Sequence, residues 1–128
     1  PEERLRLAIR AIAELASTTP HFAPLMLREI ATGGTGLPDE ILARMRTVFG
    51  VIGEILGGGI AAGTFRDVDP VTTHMLVAGG VLVLIAGTPI RQRVRGSRKD
   101  ERIPDEVAAL LLDGLRAPGR GAARKKTK

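Results

Sequence analysis

"HMLVAGGVLVLIAG", residues 74–87, is the stretch on which the reading of this chain turns. Met75 to Gly87 carry no charge and no strongly polar side chain. A helix that crosses a bilayer needs about 20 consecutive apolar residues. This run supplies thirteen, between Thr72, Thr73 and His74 on one side and Arg91 and Arg93 on the other. It is too short for a membrane span and long enough for a core helix. Asp69-Pro70 supplies an N-cap and a first helical residue whose missing N–H costs nothing there. The expected helix therefore covers about 70–86.

That helix is apolar nearly all round. One face carries Val71, His74, Met75, Ala78, Leu82 and Ile85. The other carries Leu76, Val77, Gly80, Val83 and Leu84. Two apolar faces need two packing partners. The chain's own core is one, and a second copy is the simplest other, with Gly79 and Gly80 permitting close backbone approach. The alternative is the central helix of a monomeric bundle.

Working outward, apolar residues keep helical spacing almost everywhere. Leu5, Ile9, Ile12 and Ala16 define an amphipathic helix over about 2–17. Thr19-Pro20 reads as the start of a second helix reaching about residue 31, stopped by Gly33-Gly34. Pro38-Asp39-Glu40 opens a long helix, its carboxylates favouring the positive end of the helix dipole. Ile41 to Ile60 keep its period to about Gly63. Gly57, Gly58 and Gly59 weaken its end unless something packs very close there, and Phe65 could fold back as an apolar plug. Thr88-Pro89 either kinks the apolar helix or begins a short basic turn. Residues 96–101 read as a charged loop. Pro104-Asp105-Glu106 repeats the start signal, and Val107, Leu110, Leu111 and Leu115 give a last amphipathic helix that Pro118 ends. No segment alternates with period two, so no sheet is expected. The fold class is all-α, a bundle of about five main helices, with one domain over 1–117 and a disordered basic tail over 118–128.

Composition narrows the chemistry. The chain has 128 residues and no Cys, which excludes disulfides and thiolate chemistry and fits a reducing cytoplasm. It has no Trp or Tyr and three Phe, so stacking on nucleobases is almost unavailable. Net charge is +5, yet residues 116–128 hold six basic and no acidic residues, leaving a body with 13 basic and 14 acidic residues, at −1. The tail reads as a solvated end that could touch phosphates or anionic headgroups. The arginines between 91 and 102 are diluted by Asp100 and Glu101. No signal peptide opens the chain. Pro1 in place of Met, directly before a helical pattern, reads as a domain cut from a longer chain.

No enzyme motif is present. Ser17 and Ser97 lie outside any G-x-S-x-G, and "GGTG" at 33–36 lacks the strand that a dinucleotide loop follows. No cofactor is expected. Neither histidine has metal-ligand spacing, so no metal site is expected. Helical period places Ile9, Ile12 and Ala16 opposite Leu25 and Met26, with Met45, Phe49 and Ile52 facing the same volume. These are candidate walls of a pocket, and methionine suits one that accepts varied shapes. His74 and Ala78 would line it from the apolar helix, His74 as a polar contact. Glu29, among Met26, Leu25 and Ile30, would orient a ligand if turned inward. Each of these residues is otherwise plain core or surface.

The order of elements resembles the C-terminal regulatory domain of TetR-family transcriptional repressors. The likeness rests on "LREIATGG" (27–34), "LPDEILARM" (37–45), "GGGIAAGTFRDVDP" (57–70) and "VAALLLDGLRA" (107–117). It implies dimerisation through the last two long helices, as a four-helix interface of two copies. Here that assigns Leu76, Val77, Gly80, Val83, Leu84, Val107, Leu110, Leu111 and Leu115 to the dimer face. It implies a small-molecule pocket among the preceding helices, taking an apolar effector that biases DNA binding. It also implies that operator DNA is bound by an N-terminal helix-turn-helix domain, which nothing in these residues matches. The competing expectation is a homodimeric helical interaction module without a ligand.

Overall fold

The computed structural model describes residues 1–96 and 103–119. Six helices lie among them: α1 (Glu2–Thr18), α2 (Phe22–Ala31), α3 (Asp39–Ala61), α4 (Pro70–Ala86), α5 (Thr88–Arg95) and α6 (Ile103–Leu115). The all-α class expected from the sequence is what the chain adopts. The sixth helix is the short basic α5, at the point where a kink or a basic turn was expected. The charged loop expected over 96–101 and the basic tail expected over 118–128 lie, apart from Gly96, Pro118 and Gly119, outside the described residues.

The apolar helix α4 sits at the centre, packed against α1, α2, α3 and α6. Its start is as the sequence dictates: the Asp69 carboxylate accepts from the Thr72 N–H at 2.7 Å, and Pro70 occupies the first turn. Pro89 has no N–H to continue the ladder, and α5 leaves at 66° to α4. Arg91 on α5 reaches back and donates from Nε and Nη2 to the Leu84 carbonyl, at 3.1 and 2.7 Å. A cation thereby meets the negative end of α4.

The start of α2 corrects the expectation from Thr19-Pro20. The helix begins at Phe22, after His21 in a left-handed conformation with φ 60°. The reason is Pro24. In a helix beginning at Pro20, residue 24 would sit past the first turn, where its missing N–H leaves a carbonyl unpaired. Beginning at Phe22 puts Pro24 third, among the positions that donate to no intrahelical carbonyl.

Helix α3 runs unbroken through Gly57 and Gly58, and close packing explains Gly59. The Phe65 ring lies against it, such that a Cβ on Gly59 would fall within 3.0 Å of three ring carbons. Gly63, at φ 73°, turns the chain out of the helix in the left-handed region open to glycine. The N–H groups of Thr64 and Phe65 then donate to the Gly59 carbonyl at 2.9 and 3.1 Å. This returns the chain so that Phe65 is buried in the core. The connection is held to the end of α6 by an isolated antiparallel bridge between Phe65 and Arg116. The Arg66 N–H donates to Leu115 O at 2.8 Å, and Ala117 N–H to Thr64 O at 3.0 Å. Arg116 also pairs with Glu2 at 2.9 Å, tying α6 to the start of α1. One bridge is not a sheet, and no strand pairs elsewhere among the described residues.

Candidate functional site

The packed interior divides in two. The main core gathers Leu5, Ile9 and Ala13 of α1, Ile52, Ile55 and Leu56 of α3, Val77 and Val81 of α4, and Ala108, Leu112 and Leu115 of α6, with Phe65. A second cluster lies where α2 crosses α4. It is built from Ala16, Ala23, Met26 and Leu82, with Phe22, Leu27, Leu37, Met45 and Ala86 partly buried around it. Ile85 packs against both.

The residues expected to share one pocket are distributed over these regions. Ile9 and Ile52 are sealed in the main core, and Ile12 packs on it. Met26 and Met45, with Ala16, belong to the second cluster. Leu25 does not face Ile9 and Ile12 as expected: α2 buries Ala23 and Met26 instead, and Leu25 is 54% exposed. Glu29 is half-buried and folds toward the glycine loop rather than the apolar interior. Its carboxylate lies beside Gly36, and Oε2 is buried without a hydrogen-bond partner among the described residues.

His74 and Phe49 come together. Their ring centroids are 4.0 Å apart, with the planes tilted by 40°. His74 is 6% exposed. Its Nδ1 is buried and has no hydrogen-bond partner among the described residues. Burial holds the imidazole below its ordinary pKa, because the charged form would lose its hydration. A neutral ring follows, with one nitrogen to donate and one to accept. An unmade hydrogen bond at a buried polar atom costs roughly 1–3 kcal/mol. Ala78, one turn on from His74, is half-buried.

Neither the spacing of apolar residues nor the resemblance pointed to Gly53. It lies one turn past Phe49, half-buried, and a Cβ there would meet nothing within 4 Å. Leu82 and Ile85, read on the His74 face, pack into the second cluster.

The face assigned to a second copy is also divided. Val77 and Leu115 are 2% and 5% exposed within the chain's own core, which corrects their assignment. Both belong to the main core, with residues of α1 and α3 and with Phe65. Leu84, Val107 and Leu111 are half-buried, and so is Gly80. Leu76 and Val83 on α4 and Leu110 on α6 are 68%, 57% and 77% exposed. Gly79 and Gly80 lie three and four residues past Leu76, and Val83 lies four and three past them, so Leu76 and Val83 share one outward face with the two glycines between them.

No helix among the described residues is by itself long and apolar enough to cross a membrane. A comparison with curated proteins found no match. Residues 1–108 match the family described as "Tetracyclin repressor-like, C-terminal domain". That match runs from α1 through the opening turns of α6, so the chain belongs to the family of tetracyclin repressor-like C-terminal domains.

Proposed function

We propose that this chain is the effector-binding and dimerisation domain of a TetR-like transcriptional regulator. Two copies associate through α4 and α6, and a small apolar molecule binds among α1 to α4. Binding alters the preference between two arrangements of the dimer. A helix-turn-helix domain carried outside these residues meets operator DNA. The domain performs no catalysis and needs no cofactor, and it works in the cytoplasm.

One observation carries this reading. The central helix is apolar nearly all round, but its own chain covers only part of it, leaving Leu76 and Val83 exposed, as Leu110 is on the neighbouring α6. Large apolar side chains clustered on an exposed surface mark a site of association. Family membership supports the same role. The competing reading, an assembly module without a ligand, is favoured by the dense packing of Ile9 and Ile52. It is countered by the unsatisfied His74.

Thermal unfolding tests both halves of the proposal. A dimer that dissociates on unfolding gains stability with chain concentration, and a ligand that binds only the folded state raises the midpoint further. The expected result is a midpoint that rises with concentration and again with some members of a panel of apolar compounds. A midpoint indifferent to both contradicts the proposal.

A further inference from the structure

Helix α5 buries none of its own residues and packs chiefly on the end of α4. A helix this short is not stable by itself in water. Arg91 pins it to the Leu84 carbonyl, and its other side is open. Ile90 and Val94, one turn apart on that side, are 67% and 79% exposed. Arg93 adjoins Ile90 at three-residue spacing and is exposed. Neither α4 nor α5 contains an acidic residue. Helix α6 shows the converse pattern, with Asp105, Glu106 and Asp113 and no base. Asp105 is engaged by Arg10 and Asp113 by Arg116, whereas Glu106 makes no ion pair among the described residues. Leu110, one turn past Glu106, is 77% exposed. With Val94 and Leu110 both this open, α5 does not cover α6 of its own chain.

We infer that α5 clamps a second copy of this chain: Ile90 and Val94 pack against Leu110 on the copy's α6, and Arg93 pairs with its Glu106. The inference rests on the proposed dimer and adds α5 to its surface. The charges of the two helices are opposite, and each exposes an aliphatic side chain one turn from its charged partner or aliphatic neighbour. Every chain carries both halves, so a two-fold association makes the contact twice and covers both patches of both copies. Helix α5 also follows α4 after Gly87 alone, which makes it continuous with the helix that exposes Leu76 and Val83. An anionic lipid surface would satisfy the arginines of α5 but would leave Glu106 and Leu110 uncovered.

Exchanging the charges on the complete chain tests this, with dimer dissociation constants from sedimentation equilibrium over a dilution series. Arg93→Glu and Glu106→Arg should each weaken the dimer about tenfold, because a reversal turns attraction into repulsion and is felt twice in a two-fold interface. Combined in one chain, they should return the affinity to within about threefold of the parent, since each new Glu then meets a new Arg. Val94→Ser should weaken the dimer about tenfold through lost apolar contact. All three side chains are exposed in the lone chain, so helical circular dichroism should not change. Single reversals without effect, or losses that add in the combined variant with no rescue, overturn the inference. So does binding of the parent to phosphatidylglycerol vesicles that Arg93→Glu abolishes while the dimer keeps its affinity. A parent chain that stays monomeric at every concentration contradicts the dimer itself, a result distinct from a dimer indifferent to these substitutions.

Discussion

The Phe65 ring occupies the space that a side chain at Gly59 would need. Gly59→Ala therefore forces ring or backbone to move in a packed core, at about 1–3 kcal/mol. Gly57, two residues earlier on the exposed side, has open space around it. Gly57→Ala should stabilise by about 0.5–1 kcal/mol through helix propensity alone. Urea unfolding of the two variants should move the midpoint in opposite directions.

His21 is the one non-glycine residue with positive φ among those described. The left-handed region costs an ordinary side chain roughly 1–2 kcal/mol. His21→Gly should recover part of this, seen as a higher thermal midpoint with unchanged helical circular dichroism. A lower midpoint would mean that the turn before α2 is held by the histidine itself.

The depressed pKa of His74 gives the fold a pH dependence of known sign. Above its ordinary pKa of 6.5, imidazole is neutral in both folded and unfolded chains and contributes no slope. As pH falls below that value the unfolded chain takes up a proton first, so stability drops. The loss levels off once pH passes the lower folded-state value. Urea midpoints between pH 7.5 and 5.5 should show this decline, and His74→Leu should flatten it. At pH 7.5 the same variant should be as stable as the parent or more so, since it removes a buried unsatisfied nitrogen.

Neighbouring residues on α4 should behave oppositely when charged. Leu76→Asp and Val83→Asp place a carboxylate on the outward face, where the lone chain leaves the side chain exposed. Both should fold and fail to dimerise, as should Leu110→Asp on α6. Val77→Asp buries an unpaired charge in the main core and should abolish the cooperative transition. Light scattering and circular dichroism together separate the two outcomes.

Helix order and most helix ends were legible in the sequence because they are written locally. Asp69-Pro70, Pro38-Asp39 and Gly33-Gly34 each act on their own turn of backbone. The start of α2 was misread at Thr19-Pro20 because Pro24, four residues further on, imposes the stronger constraint. The candidate site was less legible. Periodicity identifies which side of a helix is apolar, but not which neighbour covers it. Val77 and Leu76 are adjacent and equally apolar, yet one is core and the other surface. Only the docking of α1 and α6 on α4 distinguishes them. The Phe49–His74 contact likewise joins two helices in a way that neither helix's own periodicity prints.

The central claim is that the exposed side of α4 is covered by a second copy of the chain. The mass of the purified chain by static light scattering, followed over a dilution series, tests it most directly. The account predicts twice the 13.6 kDa protomer at working concentrations, falling toward one protomer only at high dilution. A folded chain that scatters as a single 13.6 kDa protomer at every concentration contradicts it.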